Sequence, residues 1–191
     1  MKYNITAIIL AAGSSTRFGD KNKLLKPFMD SSIFGHVVKT MTNLPIAEVI
    51  LVTGYEHEKI AEAIKHSNVH IIHNSEFQTG IASSIKCGVS AASQKTEGYM
   101  ICLGDMPYIT MDYIKNLLDT FINSQIPSII VPTFQYRKGN PVIFSKNFID
   151  DLLKIEGDKG AREVIDKHPD SIIEVQIRKE TYFFDVDTLA D

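Results

Sequence analysis

The chain alternates short apolar, β-branched runs with stretches in which apolar residues recur every three or four positions. Ile5–Leu10 (ITAIIL), Glu48–Thr53 (EVILVT), Val69–His73 (VHIIH), Tyr99–Leu103 (YMICL) and Ser128–Val131 (SIIV) have the length and composition of strands. Several are apolar at nearly every position, as parallel strands covered on both faces are. Between them the period lengthens. Met111–Asn123 carries Ile114, Leu117, Leu118, Phe121 and Ile122 at helical spacing and predicts an amphipathic helix. Further helices are predicted near Ser32–Met41, Glu56–His66 and Gly80–Ala92, the last with Ile81, Ile85, Val89 and Ala92 on one face. Strand–helix alternation of this kind predicts a three-layer α/β/α sandwich around a mainly parallel sheet.

After about residue 132 the rhythm changes. Pro132–Asn140 is polar and loop-like, and Pro141–Phe144 reads as a short strand. Helices are predicted near Lys146–Lys154 and from about Gly160 to Lys167, then strands at Ile172–Ile177 and Tyr182–Val186. No repeat, low-complexity tract or linker interrupts the chain, so residues 1–191 are expected to form one domain. In it about 1–131 forms one half, and about 132–191 builds the other half of a cleft.

Composition narrows the classes. Hydrophobic residues make up 44% of the chain and charged residues 23%, ordinary values for a globular protein, and the length suffices for a substantial core. A net charge of −3 lacks the global basic field that grips nucleic acid. No apolar run approaches the ~18 residues of a membrane span, and MKYNITAIIL lacks the pattern of a signal peptide. The two cysteines, Cys87 and Cys102, lie in apolar segments without C-x-x-C spacing and read as buried, reduced thiols of a cytoplasmic protein. The histidines at 36, 57, 66, 70, 73 and 168 show no metal-ligand spacing.

In open α/β sheets ligands bind beyond the carboxyl ends of the strands. The residues there are informative: Ala11–Gly13, Thr53–Gly54, Asn74 and Gly104–Asp105. The first belongs to LAAGSSTRFGDKNKLL, residues 10–25. It matches neither G-x-G-x-x-G nor the P-loop ending G-K-[ST]. Its small residues let backbone N–H groups approach a phosphate, and Arg17 and Lys23 can neutralise one; an ordinary turn with surface cations has the same composition. LGDMP (103–107) puts a carboxylate, Asp105, at the end of a buried strand, where it is either a turn former or a ligand for a hard cation. FDVDT (184–188) spaces Asp185 and Asp187 by two, so both face one way if a strand persists that far. QTGIASSIKCG (78–88) starts a helix at Thr79 or Gly80, whose free N–H groups, with the Ser83 and Ser84 hydroxyls, could hydrogen-bond a ligand.

These pieces occur together, in this order, in one family. The stretches LAAGSSTRFG, NKLL, VILVTGY, IIHN, GIASSIKCGV, LGDMP, GNPVIFS, GDKGAR and FDVDT span almost the whole chain. By them it resembles the molybdenum-cofactor nucleotidyltransferases, most of all the molybdopterin cytidylyltransferase branch. The resemblance implies a Rossmann-like fold and transfer of a nucleoside monophosphate from a triphosphate, here CTP, to a molybdopterin-type phosphate acceptor, with Mg²⁺ as cofactor. Leu10, Ala11, Ala12 and Gly13 would hold the nucleotide, with Gly54, Asn74, Gly80 and Ser84 around it. Arg17 and Lys23 would face the triphosphate, and Asp105 and Asp187 would bind the metal. Asn140, Gly160 and Arg162 would meet the acceptor, and a molybdenum hydroxylase is the partner implied.

Two departures stand out. Three residues separate Gly19 from Lys23 where many members have two, so Lys21 competes with Lys23 for the triphosphate. Asn140 stands where many members have His. The alternatives are a relative using another base or a sugar or polyol phosphate, and a non-catalytic, cofactor-binding maturation factor for a molybdenum hydroxylase.

Overall fold

The computed structural model describes residues 3–13, 22–124 and 127–185. Its elements run β1 (Tyr3–Ala11), β2 (Pro27–Phe28), β3 (Ser31–Ser32), α1 (Ile33–Thr42), β4 (Ile46–Thr53), α2 (His57–Ala63), β5 (His70–His73), α3 (Ile81–Ala91), β6 (Gly98–Leu103) and α4 (Met111–Asn123). There follow β7 (Ile129–Phe134), β8 (Arg137–Lys138), β9 (Val142–Ser145), α5 (Ile149–Lys154), α6 (Arg162–Lys167) and β10 (Ile172–Gln176).

The main sheet has the order β10-β7-β9-β6-β1-β4-β5, with β8 on β7. Strands β6, β1, β4 and β5 pair in parallel, as does β10 with β7. Strand β9 runs antiparallel to both β6 and β7, and β8 antiparallel to β7. The period of two decides the layers. On β1, Ile5, Ala7, Ile9 and Ala11 pack with Phe34 and Val37 of α1, Ile60 of α2 and Leu117 of α4. Ile8 and Leu10 point the other way, towards Ile85 of α3, Leu152 of α5 and Ile165 of α6. Each fully buried Ile in such a strand is worth about 1.5–3 kcal/mol relative to leaving it exposed. Helix starts are capped where the sequence supplies hydroxyls. Ser32 Oγ accepts from the Gly35 amide at 3.2 Å, and Thr110 Oγ1 from Tyr113 at 3.3 Å.

The structure corrects several local readings. Pro132–Asn140 is not a simple loop. β7 continues to Phe134, and a two-residue turn, Gln135–Tyr136, folds back into β8. The described part of the segment predicted as a strand at Tyr182–Val186 is not one: Glu180–Phe183 forms a 3-10 turn, and Val186 lies outside the described residues. Its aromatics are claimed by packing. Tyr182 stacks on Tyr113 at 4.7 Å, and the Phe183 ring occupies the space beside Gly139, where a Cβ would lie 2.2 Å away. Asp185 is therefore not on a strand, and the alternation argument for FDVDT loses its basis. The β2–β3 hairpin has no counterpart in the sequence reading.

Both cysteines are free: Cys102 is buried, whereas Cys87 is only half-buried. Burial pushes both thiols above their ordinary pKa, strongly for Cys102, so neither favours the reactive thiolate. Among the described residues no helix is long and apolar enough to cross a membrane.

Candidate active site

Strands β1 and β6 are parallel neighbours and end together, Leu10 opposite Leu103. The Gly104 amide donates to the Leu10 carbonyl at 2.9 Å, which pins the turn after β6 to the end of β1. Asp105 follows in that turn. Lys23 arrives from a 3-10 turn, Lys23–Leu25, started by Asn22, whose Oδ1 accepts from the Leu24 amide at 3.1 Å. Leu24 anchors this turn in the core. Lys23 Nζ and Asp105 Oδ2 then meet at 2.6 Å, both side chains largely buried at 16% and 17% exposure.

The second carboxylate oxygen is the telling one. Asp105 Oδ1 is buried and has no hydrogen-bond partner among the described residues. A buried carboxylate oxygen left unsatisfied is costly. A hard divalent cation, which prefers oxygen ligands, fits an acceptor of this kind. Among the described residues no group of three or more His, Cys, Asp or Glu gathers to hold a metal, so further ligands would come from outside them or from phosphate oxygens. Arg17, Lys21 and Asp187 lie outside the described residues, whereas Asp185 lies within them and is exposed.

The other expected nucleotide contacts divide into two kinds. Leu10 and Ala11 close β1 and are buried, as is Ala12 beyond it, and Gly13 is exposed with nothing among the described residues within 4 Å of where a Cβ would stand. Gly54 touches the end of β1 from behind. A Cβ there would lie 2.8 Å from the Ala12 carbonyl oxygen and 2.6 Å from Phe77, and the next amide, Tyr55, donates to that carbonyl at 3.3 Å. Gly54→Ala is therefore expected to cost about 1–3 kcal/mol by overpacking. For a chain of this size each kcal/mol lowers Tm by about 2–4 °C. An unchanged melting temperature would show that Phe77 yields freely.

Asn74, Gly80 and Ser84 build a wall. Asn74 Nδ2 donates to Ser83 Oγ at 2.8 Å and Ser84 Oγ at 3.0 Å, and its Oδ1 accepts from the Glu76 amide at 3.0 Å. The Ser83 hydroxyl turns inward to the Gly80 and Glu76 carbonyls. Gly80 has φ +112°, and a Cβ would lie 2.5 Å from the Gly157 carbonyl oxygen, which accepts from the Ala82 amide at 3.0 Å. The start of α3 is thus taken up by the chain itself. This corrects the picture of an open helix end whose Ser83 hydroxyl and first amides await a ligand.

Asn140, Gly160 and Arg162 come together in a cavity of about 600 Å³ on the sheet face covered by α3, α5 and α6. Its interior is aliphatic: Leu10, Ile81, Ile85, Ile101, Val142 and Ile165. Among the described residues its rim carries Arg137, Lys138, Lys159 and Arg162 against one carboxylate, Asp158. Gly160, at φ +60°, lies with its Cβ direction 3.0 Å from Ile81. Tyr113 Oη donates to the Asn140 carbonyl at 2.6 Å and fixes that corner. Burial raises the Tyr113 hydroxyl pKa, so it stays a donor. Leu10 and Leu103 also line the cavity, so it adjoins the turn that carries Asp105. Sequence reasoning missed Tyr136, Arg137, Lys138 and Lys159. The signal available was the aromatic and basic run QYRK inside a segment read only as polar.

The mostly parallel sheet covered by helices on both faces is a Rossmann-like α/β/α sandwich. The chain belongs to the family of the MobA-like NTP transferase domain, whose model matches residues 7–172. It is 32% identical over 143 residues to the molybdenum cofactor cytidylyltransferase of Escherichia coli strain K12, covering 74% of this chain and 70% of that protein. Against the bifunctional protein GlmU of Clostridium perfringens strain SM101 it is 35% identical over 123 residues, 64% of this chain but only 27% of GlmU. The crystal structure of Rv0371c from Mycobacterium tuberculosis H37Rv matches with a TM-score of 0.87 at 23% identity, over 100% of this chain and 96% of that one. Rv0371c has also been solved in complex with manganese.

Proposed function

We propose that this protein transfers CMP from CTP to the terminal phosphate of molybdopterin and releases pyrophosphate. The observation that carries this reading is the Asp105 carboxylate at the mouth of β1 and β6, held by Lys23 on one oxygen and with the other buried without a partner among the described residues. Beside it lies a cation-rimmed cavity of a size to take a phosphate-bearing acceptor. Membership of the NTP transferase family supports nucleotidyl transfer, and likeness to the Escherichia coli enzyme supports the choice of base and acceptor.

An oxygen of the acceptor phosphate attacks the α-phosphorus of CTP. The new P–O bond forms as the bond to the β-phosphate oxygen breaks, and the electron pair departs with pyrophosphate. The second pKa of a phosphate monoester is about 6, so the nucleophile needs no general base at neutral pH. What the protein supplies is position and charge. Lys23 and Arg17 neutralise the triphosphate. Leu10–Gly13 frame the nucleotide, with Gly54 behind them and Asn74, Gly80 and Ser84 as the facing wall. Asn140, Gly160 and Arg162 seat the acceptor. Asp105, with Asp187, would hold Mg²⁺, which supplies Lewis-acid polarisation of the phosphate oxygens. The product would pass to a molybdenum hydroxylase.

Pyrophosphate release measured side by side with CTP, GTP and molybdopterin tests this. Wild type is expected to favour CTP in kcat/KM. Ala12 is buried in the nucleotide loop, so its methyl narrows the space a purine needs. One methyl gives discrimination of about tenfold to a hundredfold, and Ala12→Gly is expected to narrow the preference by about tenfold. Wild-type preference for GTP, or release only with a sugar or polyol phosphate, would overturn the reading.

A further inference from the structure

The turn joining β7 to β8 carries positive φ at both central residues, 47° at Gln135 and 68° at Tyr136. Hairpins of this kind favour Asn-Gly because a bulky side chain at positive φ is strained. The residue that bears this strain is also fully exposed: Tyr136 is 100% accessible. It stands at the lip of the cavity that Arg137 and Lys138, the next two residues, help to rim. A large aromatic side chain in a conformation that suits Gly or Asn, packed against nothing, does little for stability. Strain of this sort gathers where a ligand is clamped.

The surroundings say what the ligand is. Below Tyr136 the cavity interior is branched aliphatic, with Ile85, Ile101 and Ile165 all buried. Around the lip, among the described residues, are four cations and one carboxylate. Two of the cations have acidic neighbours, Arg137 with Glu180 at 3.7 Å and Arg162 with Asp166 at 3.9 Å. These pairs are long and exposed, and such pairs hold their partners weakly. An aromatic lip over an aliphatic floor takes a flat ring, and the cations take its phosphate.

We propose that Tyr136 is an acceptor-specificity residue, which covers the flat ring of a phosphorylated heterocycle while Lys138 and Lys159 hold the phosphate. This rests on the nucleotidyl-transfer reading and its acceptor, and adds the residue that would recognise the acceptor's ring. A sugar phosphate offers C–H faces ringed by hydroxyls and no π system, so it gains less from Tyr136 than a flat aromatic ring does.

The test measures binding in the absence of turnover, so it stands apart from the choice of nucleotide and from transfer itself. The probe is a pterin phosphate monoester, followed by its own fluorescence anisotropy in a protein that has no Trp to interfere. Glucose 1-phosphate serves as competitor. The variants are Tyr136→Asn, which suits positive φ but cannot stack, and Tyr136→Phe, which keeps the ring. Stacking losses of this type weaken binding by about tenfold. Tyr136→Asn is expected to show that loss with Tm equal to or above wild type, and Tyr136→Phe to bind like wild type. The unphosphorylated pterin is expected to bind more weakly than the phosphate, and Lys138→Ala to shrink that difference. Equal affinity in Tyr136→Asn and wild type would overturn the role of Tyr136, while CTP-dependent transfer could still proceed. No binding of the pterin phosphate by wild type, or better competition by glucose 1-phosphate than by pterin phosphate, would overturn the acceptor class. Failure of CTP and molybdopterin to release pyrophosphate, with this binding intact, would instead condemn the transfer reading.

Discussion

Asp105→Asn is expected to lower transfer by about a hundredfold to ten-thousandfold, the scale of a lost metal and charge contribution of several kcal/mol. Asn keeps the shape of the side chain and removes the charge. The buried Oδ1, which lacks a hydrogen-bond partner among the described residues, is where a divalent ion fits. An amide oxygen holds such an ion poorly by comparison. The fold should survive, because the turn that carries Asp105 is held by the Gly104 amide on Leu10 and not by the carboxylate. The Lys23–Asp105 pair is largely buried, so leaving Lys23 without its counter-charge is expected to lower Tm as well. Calorimetric titration with Mg²⁺ or Mn²⁺ and a thermal melt separate the two effects. Turnover near wild type at limiting Mg²⁺ would remove Asp105 as the metal ligand.

Lys23→Ala is expected to move two quantities in opposite directions. Its ammonium neutralises triphosphate in the proposed reaction, and a charge-assisted hydrogen bond lost there costs about tenfold to a hundredfold in kcat/KM for CTP. The same ammonium lies 2.6 Å from Asp105 Oδ2 and opposes a second cation on that carboxylate. Without it, the affinity for Mn²⁺ measured by calorimetry without nucleotide should rise. Lys21→Ala is expected to do less to CTP use. Weaker Mn²⁺ binding in Lys23→Ala would mean that Lys23 orients Asp105 more than it competes for it. A larger loss in Lys21→Ala would mean that the longer spacer after Gly19 shifts the register.

The comparison of sequence with structure turns on a few elements. α4 spans the residues its apolar spacing predicts, because Ile114, Leu117 and Leu118 have one place to go, the sheet beneath them. β1 and β6 were legible for a related reason: residues apolar on both faces fit a covered central strand. Glu180–Phe183 was not legible. Tyr182–Val186 reads as a strand, yet Tyr113 and Gly139 offer the Tyr182 and Phe183 rings better packing, and neither residue is near them in the chain. Tertiary contacts decided against local pattern there.

The same division holds for the site. Strand ends followed by small or acidic residues are a local feature, so Leu10–Gly13, Gly54, Asn74 and Asp105 could be picked from the sequence alone, and the family could be recognised from the order of their motifs. The direction of β9 could not, because a four-residue apolar strand carries no mark of which neighbour it will join or which way it will run. That direction places Asn140 and the β8 cations at the carboxyl end of β6. Nor could the sequence assign Gly80 to packing against Gly157, or gather Lys138, Lys159 and Arg162 around one cavity. Periodicity reports which face of an element is buried. Which elements share a rim is set by strand pairing and helix packing between residues far apart in the chain, and only the folded structure contains them.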